Sequence, residues 1–470
     1  MSLPNTRFGA KGISRLLTGK KRLWFIGIGG VHMSAMALFA ASRGFAVAGS
    51  DRSCGESVLR LRAAGIPVFS EQDAGRLVQY DAVVYTLALD ALDPEYLAAR
   101  RLGLPTFSRA DFLSYLLDGF LMRIAVGGSH GKSTVTAMLA SVFAAAGRDP
   151  AVFCGAPMNG GYAALPKGKG QTAIFEACEY QRSFLCFSPT WAVLLNAEWD
   201  HVDCYPTHGS ILAAFAAFAD LPGEHGVTFY NAEDVFACDC VAKSRARCID
   251  FGVENGSYRA DGLWFENGFA RFRPCFPDGT KGGDIALRIP GRHNVSNAMA
   301  AVAVANEAGI PSEVIAAALS GFQGAARRMT YRGLLCGACV YDDYAHHPSE
   351  IAATLHTARE MLGGGRLFVV FQAHTYSRTA AFLTEICEAL RAADRVFVAP
   401  IYAARERDTL GMCDAVIARG IGEKAVAPGS IAAIAVALRA ELAPGDLALV
   451  MGAGDIDRIF GEFSGKGFTI

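Results

Sequence analysis

The chain lacks a surplus of charge of either sign, a zinc-type cysteine framework and a long hydrophobic run. Its 470 residues carry 44 Lys and Arg against 45 Asp and Glu, which leaves no general basic field for holding nucleic acid or an anionic membrane. The 13 Cys are scattered and contain no two C-x2-C pairs of the kind that build structural zinc sites. The first 22 residues contain no apolar signal-peptide core, and no uninterrupted apolar stretch reaches about 18 residues. We expect a cytoplasmic protein with no nucleic-acid partner and no membrane insertion.

What the chain does contain is a repeated alternation of short Val/Ile/Phe-rich runs and Ala/Leu-rich amphipathic stretches. This alternation is typical of βαβ units with parallel sheets, and the length corresponds to about three domains. The pattern restarts twice, which predicts domains at 1–119, 120–325 and 326–470. Within 247–288, frequent Gly, Asn and Asp between short alternating segments predict antiparallel hairpins added to the central sheet. The fold class expected is α/β, with Rossmann-like first and last domains around a central nucleotide-binding domain.

The strongest local signal is the segment Ala125-Val-Gly-Gly-Ser-His-Gly-Lys-Ser-Thr134, between an apolar strand and an Ala-rich helix. Backbone N–H groups of a Gly-rich turn and a helix N-terminus bind phosphate, the lysine neutralises it, and the next hydroxyl reaches Mg²⁺. The general G-x-x-x-x-G-K-[ST] pattern has Gly where Val126 stands, so the match is imperfect. With Lys132 and Ser133 in register, the segment still predicts a nucleoside triphosphate site.

Acidic residues follow two further predicted strands. Glu176 and Glu179 end one run, and Glu198, Asp200, His201 and Asp203 follow another. Because parallel strands end at the same edge of a sheet, we expect these groups beside the phosphate loop, where Mg²⁺ takes carboxylates, phosphate oxygens and water. Taken singly, each is an ordinary cap or loop residue. The shared edge with Lys132 favours Glu176 and His201 as functional, and favours the other four less.

A second glycine turn, Gly27-Ile-Gly-Gly-Val-His-Met-Ser34, follows the first predicted strand, and Asp51 follows the second. The layout is similar to a dinucleotide fingerprint, but His32 stands where the third glycine belongs. A pyrophosphate at a helix N-terminus needs only the first part of the turn. Some diphosphate ligand is the better interpretation, and a tight turn that binds nothing remains the alternative.

The third block places polar groups after two more strands. Tyr341-Asp-Asp-Tyr-Ala-His-His-Pro-Ser-Glu350 follows one strand, and Gln372-Ala-His-Thr-Tyr-Ser-Arg-Thr379 follows the next. Histidine, arginine and hydroxyl groups at one edge suit a small carboxylate or phosphate. At the preceding junction, the pair Arg327-Arg328 is either solvated surface or a clamp for the γ-phosphate.

Together these segments resemble the Mur ligase family. The matching residues occur in family order across nearly the whole chain, which makes the set far more specific than a phosphate loop alone. They are Gly27–Ser34, Gly128–Ser133, Glu176–Tyr180, Asn196–His201, Gly291–Ala298, Arg327–Arg328, Asp342–Pro348, Phe371–Thr379 and Gly452–Gly454.

The resemblance implies an ATP-dependent ligase of peptidoglycan synthesis, which joins L-alanine to UDP-N-acetylmuramate with Mg²⁺ as cofactor. It further implies that the third domain closes on the second when nucleotide binds. The implied ATP and metal residues include the catalytic Lys132, His201 and Arg328; the ATP-binding set is Gly128, Ser129, His130, Gly131, Lys132, Ser133, Thr134, Asn294, Arg328 and Asp343, and the metal ligands are Ser133, Glu176 and His201. The implied substrate residues are Gly27, Gly29, Gly30, Val31, His32, Ser34 and Asp51 for the uridine diphosphate, and His347 (also catalytic), His374 and Arg378 for the muramate carboxylate and alanine.

The sequence departs from the commonest family pattern at a few positions. Ser129 and Ser133 stand where Thr is usual, Cys178 replaces an Asp, Thr375 replaces an Arg, and Ala403-Ala-Arg-Glu406 replaces a Pro-Ala-Gly-Glu segment. Three other functions remain open at this stage. They are a ligase that reattaches recycled tripeptide to muramate, a non-catalytic UDP-sugar binding protein, and a nicotinamide oxidoreductase that uses Gly27 to Asp51.

Overall fold

The computed structural model describes residues 3–158, 161–164, 170–404, 406–463 and 467–469, with backbone alone at 157, 158 and 161–164. The described residues form two compact units. Unit 1 takes its residues from 1–198, 211–251 and 303–310, and unit 2 from 199–210, 252–302 and 311–470. This division differs from the three segments expected from the sequence, whose boundaries stay a prediction.

Unit 1 begins with a Rossmann-like sheet. Five parallel strands lie in the order β3-β2-β1-β4-β5. In chain order the elements are α1 (Gly9–Leu16), β1 (Arg22–Ile26), α2 (Val31–Ser42), β2 (Ala46–Ser50), α3 (Glu56–Ala63), β3 (Val68–Phe69), a 3-10 turn (Ala74–Gln79), β4 (Ala82–Tyr85), α4 (Pro94–Arg101), β5 (Thr106–Ser108) and α5 (Arg109–Leu117).

The first strand lies at the centre of that sheet because it is almost wholly apolar. Trp24, Phe25 and Ile26 are at most 1% exposed. The indole of Trp24 donates to the buried Glu95 carboxylate at 3.2 Å, so its one polar atom is satisfied. With β2 on one side and β4 on the other, the turn after β1 lies where the strand order reverses, which is the usual ligand position in such sheets.

Unit 1 continues with a seven-stranded sheet in the order β12-β11-β10-β6-β9-β7-β8, parallel except for β8. Its elements are β6 (Met122–Gly127), α6 (Lys132–Ala145), β7 (Ala151–Met158), β8 (Gly161–Ala164), β9 (Thr172–Glu176), a 3-10 segment (Tyr180–Cys186), β10 (Trp191–Leu194), α7 (His208–Ala219), β11 (Val227–Asn231), α8 (Val235–Val241) and β12 (Arg247–Phe251). The expectation of antiparallel hairpins from residue 247 onward is wrong for β12. That strand pairs in parallel with β11 and completes the edge of the sheet, with Ile249 and Phe251 turned into the core.

Unit 2 contains the antiparallel addition and a second doubly wound sheet. A three-stranded antiparallel sheet is formed by β13 (Arg259–Glu266), β14 (Phe269–Cys275) and β15 (Ile285–Pro290), which confirms the hairpins expected there. Two helices follow, α9 (Arg292–Glu307) and α10 (Ser312–Ser320), and the last residues of α9 belong to unit 1.

The seven-stranded sheet of unit 2 has the order β20-β19-β18-β21-β17-β16-β22. Its elements are β16 (Thr330–Leu335), β17 (Ala338–Asp343), α11 (Pro348–Met361), β18 (Leu367–His374), α12 (Tyr376–Ala381), α13 (Leu383–Leu390), β19 (Arg395–Tyr402), α14 (Asp414–Ile421), β20 (Ala425–Val426), α15 (Ile431–Glu441), β21 (Leu447–Met451), a 3-10 turn (Ile456–Arg458), α16 (Ile459–Phe463) and β22 (Phe468–Thr469). The strands β17 to β21 are parallel, whereas β16 pairs antiparallel with both neighbours. An apolar cluster covers each face, so β18 and β21 are buried along their length. Among the described helices, none is long and apolar enough to cross a membrane.

Candidate active site

The phosphate loop lies at the carboxyl end of β6, the central strand of its sheet. Gly128 and Gly131 have φ angles of 141° and 83°, a backbone region that L side chains rarely adopt. A side chain on Gly128 would also meet Leu195 and Asn196, so only glycine fits there. The loop therefore turns back at once into α6, whose first residue is Lys132. The sequence prediction of a strand, a glycine turn and a helix is confirmed.

Lys132 folds back over this loop. Its ammonium donates to the carbonyls of Gly128 and Ser129 at 2.6 and 2.9 Å and pairs with the Glu179 carboxylate at 2.9 Å. Burial alone would lower the pKa of Lys132, but the Glu179 carboxylate overcomes that effect and raises it above its usual value. The positive charge is thus held at the loop.

The residues after β10 hold the loop from the other side. The Asn196 side chain accepts from the His130 N–H at 2.8 Å and donates to the His130 carbonyl at 3.3 Å. The Asn196 carbonyl accepts from the Ser129 N–H, and the Ser129 hydroxyl donates to the Glu198 carbonyl at 2.9 Å. We gave Asn196 no role from the sequence. Its position directly after a buried strand beside β6 was the available signal.

Glu176 ends β9, the strand on the other side of β6, and lies opposite Val126 in the register. Its carboxylate is 7% exposed and accepts from the Cys154 thiol at 3.2 Å and from the Gly155 N–H. A side chain at Gly155 would come within 2.8 Å of that carboxylate. Glu176 and the loop with Ser133 therefore end neighbouring strands of one sheet, as the sequence predicts, while the third expected ligand, His201, belongs to unit 2.

The glycine turn after β1 is organised by an acid instead of a lysine. Asp51 accepts from the Gly29 N–H at 2.8 Å through one oxygen and from the Ser53 N–H and hydroxyl through the other. A side chain at Gly29 would collide with this carboxylate, and one at Gly27 would collide with Thr86. The negative charge of Asp51 therefore closes the turn.

Next to this turn, His32 has a buried Nε2 with no hydrogen-bond partner among the described residues. Burial lowers the pKa of His32 to about 4, so its ring is neutral near pH 7. A neutral ring with one unpaired nitrogen retains hydrogen-bonding capacity for a ligand at the turn.

In unit 2 the two neighbouring arginines have separate roles. Arg327 donates to the carbonyls of Gly452 and Gly454 at 2.6 and 3.1 Å and lies 3.4 Å from the Asp342 carboxylate. These bonds fix the strand-end loop and use most of its guanidinium, so the idea of a paired clamp on the γ-phosphate is not supported for Arg327. Arg328 makes only a long 3.8 Å ion pair with Glu350 and keeps its capacity for an anion.

Three predicted site residues of unit 2 already have partners at both ends of their side chains. Asp343 accepts from the N–H groups of residues 329 and 345, and burial raises its pKa. Asn294 donates to the Pro290 carbonyl and accepts from another asparagine, Asn297. The ring nitrogens of His347 contact the hydroxyl of residue 349 at 2.8 Å and the carbonyl of residue 199 at 3.2 Å. Ligand binding by any of the three requires exchange of these bonds.

Two sequence departures acquire a structural account. Thr375 and Ser377 both donate to the Glu406 carboxylate, at 2.7 and 2.5 Å, so a hydroxyl at 375 serves to hold that acid. Burial raises the pKa of the Cys178 thiol to about 11, which keeps it protonated and unreactive near pH 7.

Comparison with protein families gives three consecutive matches. Residues 22–121 match the Mur ligase catalytic domain, residues 126–305 the Mur ligase middle domain, and residues 327–454 the Mur ligase glutamate ligase domain. The chain belongs to the Mur ligase family. This confirms the resemblance inferred from the motifs. Mur ligases are ATP-dependent ligases, which agrees with a triphosphate site at Lys132 and argues against the nicotinamide alternative.

Several curated Mur ligases are similar over nearly the full length. The UDP-N-acetylmuramate–L-alanine ligase of Clostridium novyi is 36% identical, covering 94% of this chain and 97% of its own length. That of Agathobacter rectalis is 37% identical, covering 93% and 96%. The solved UDP-N-acetylmuramate-alanine ligase of Thermotoga maritima superposes with a TM-score of 0.79 at 28% identity, covering 94% and 98%. A murein peptide ligase of Psychrobacter arcticus shares the fold, with a TM-score of 0.73 at 24% identity over 96% and 100%.

Proposed function

We propose that this Mur ligase joins L-alanine to the lactyl carboxylate of UDP-N-acetylmuramate, with cleavage of ATP to ADP and phosphate. The observation that carries the proposal is identity above 35% to alanine ligases over more than 90% of the chain. The phosphate loop supports it, because a buried lysine and the first turn of α6 lie together at the end of β6.

The chemistry follows from the poor electrophilicity of a carboxylate. An oxygen of the lactyl carboxylate attacks the γ-phosphorus, the bond to ADP breaks, and an acyl phosphate forms. The neutral amine of alanine then attacks the acyl carbon, loses a proton as the amide forms, and expels phosphate. Phosphoryl transfer depends on positioning and charge neutralisation. Lys132 and Arg328 are the cations we assign to that task.

The donor set around the phosphate loop fits Mg²⁺. Glu176 is a buried carboxylate whose oxygens meet only a thiol and one N–H, and Ser133 offers a hydroxyl at the start of α6. Hard oxygen donors in this small number are what Mg²⁺ takes beside a bound phosphate. We assign Ser133 and Glu176 to the metal, with His201 as the third ligand. When bound, the metal would neutralise charge on the phosphate oxygens.

The remaining assignments concern binding. The turn Gly27–Ser34 and Asp51 would hold the uridine diphosphate, Asn294 the nucleotide base and Asp343 the ribose. His347, His374 and Arg378 would lie near the two carboxylates that react or bind beside the amine.

Phosphate release from ATP and Mg²⁺ tests the reaction. UDP-N-acetylmuramate is supplied with no amino acid, with L-alanine, or with a muropeptide tripeptide. Release that requires both the muramate and alanine supports the proposal. Preference for the tripeptide would assign the enzyme to recycling, and release that needs neither compound would contradict the ligase reaction.

A further inference from the structure

Asp200 and Arg378 form a buried two-point ion pair within unit 2. The Arg378 Nε donates to one Asp200 oxygen at 2.8 Å, and Nη2 donates to the other at 3.1 Å. Both side chains are nearly inaccessible, at 5% and 9% exposure. A carboxylate already fills the fork that would receive a substrate carboxylate. Arg378 is therefore poorly placed to be the direct anion ligand that the family resemblance implies.

The remaining nitrogen of Arg378 reaches His374. Nη1 donates to the His374 carbonyl at 3.0 Å and lies 3.1 Å from the ring Nδ1. A guanidinium has only donors, so the Nδ1 it meets must be the acceptor nitrogen and the ring proton must lie on Nε2.

The His374 ring is held in one orientation and keeps an open Nε2. It stacks on Tyr402, with centroids 5.6 Å apart and planes 12° apart. Burial and the neighbouring Arg378 charge lower the pKa of His374 to about 4, so the ring is neutral near pH 7. Among the described residues, Nε2 has no hydrogen-bond partner, although Nδ1 has one.

We propose that Asp200 and Arg378 are positioning residues that hold His374 as a neutral imidazole, whose Nε2–H donates to a substrate carboxylate oxygen. This inference rests on the proposed function, since it takes one of that reaction's two carboxylates as the acceptor. Asp200 orients the guanidinium, the guanidinium fixes the tautomer, and the imidazole meets the ligand. The carboxylate is either the lactyl group of the muramate or that of alanine.

The kinetic test compares Asp200→Asn in two backgrounds. Asparagine keeps the shape but turns an amide donor or a weaker acceptor towards the guanidinium. In the wild-type background we expect the KM for one carboxylate substrate to rise about 10-fold while the KM for ATP changes less than about 2-fold. With His374→Gln, whose amide needs no tautomer selection, Asp200→Asn should add less than about 2-fold. The KM that rises, for UDP-N-acetylmuramate or for alanine, identifies the carboxylate.

Asp446 provides the matched control. It is 5% exposed, like Asp200, and pairs with Arg366 at the opposite, amino-terminal end of β21. Asp446→Asn should lower stability without changing either KM. An equal Asp200→Asn effect in both backgrounds, or an equal rise in the KM for ATP, would reduce Asp200 to a structural role and overturn the proposal.

A second measurement needs neither turnover nor a folded variant of Asp200. The ¹⁵N spectrum of the imidazole groups of the intact enzyme contains 10 histidines, and the His374 signals are those lost in His374→Gln. We expect a protonated Nε2 and an unprotonated Nδ1 near pH 7. The opposite tautomer, or an imidazolium, would overturn the proposal. This readout stays valid if the alanine ligase reaction itself is not found, so the two failures are distinguishable.

Discussion

Two glycine turns of unit 1 have the same architecture and opposite charge. Each follows the strand at which its sheet order reverses, β1 or β6, and each leads into a helix. In the first turn, Asp51 binds the Gly29 N–H. In the second, Lys132 binds the loop carbonyls. The difference teaches that glycines make the turn possible, whereas one charged side chain decides whether it is prepared for a triphosphate.

The charge on each turn follows from where the charged residue stands in the chain. Lys132 is the first residue of α6, so its side chain can fold back onto carbonyls three and four residues earlier. Asp51 comes from the end of the neighbouring strand β2, so its oxygens reach the turn from the side. A lysine satisfies carbonyls and leaves N–H groups for an anion, whereas a carboxylate consumes an N–H group.

The largest effect is expected from Lys132→Ala. Removal of the only ammonium on the second turn should lower kcat for phosphate release by about 100-fold or more, because charge neutralisation of the transferred phosphoryl group is lost. Single-turnover phosphate release measures it. Lys281→Ala, which removes an exposed lysine paired with Asp261, is the control and should be silent. A Lys132→Ala enzyme that keeps kcat would remove the distinction between the turns.

A smaller effect is expected from Asn196→Ala. This change breaks both side-chain bonds to His130 and should lower kcat/KM for ATP about 10-fold while UDP-N-acetylmuramate affinity is kept. Asn231 ends the adjacent strand β11 and caps only its own turn, so Asn231→Ala is the matched control. Parallel losses for both substrates would show that Asn196 supports the whole unit instead of the second turn.

The smallest effect is expected on the first turn. Asp51→Ala removes the acceptor for the Gly29 N–H and should weaken UDP-N-acetylmuramate binding about 5-fold, with kcat/KM for ATP unchanged. Asp51→Asn keeps one acceptor oxygen and should behave nearly as wild type in calorimetric titration. If asparagine is as damaging as alanine, the charge itself meets the ligand, as expected for a ribose contact.

The sequence predicted the parts of this comparison that local patterns specify. The Gly-Gly-Ser-His-Gly-Lys run between a strand and a helix located the phosphate loop, and strand ends located Glu176. It missed Asn196 as the residue that holds the loop, because asparagine after a strand has many ordinary uses. It also treated Arg327 and Arg328 alike, although their different partners lie as far as residue 454. Residues 247–251 were misassigned because an edge strand with alternating polarity has the same pattern in a hairpin and in a parallel sheet.

The most direct test of the comparison is equilibrium binding of ADP with Mg²⁺ and of UDP, measured separately on wild type, Lys132→Ala and Asp51→Ala. We predict crossed losses. Lys132→Ala should lose ADP affinity and keep UDP affinity, and Asp51→Ala should do the reverse. Loss of both nucleotides in either variant, or loss of UDP on removal of Lys132, would contradict the claim that each turn serves its own nucleotide.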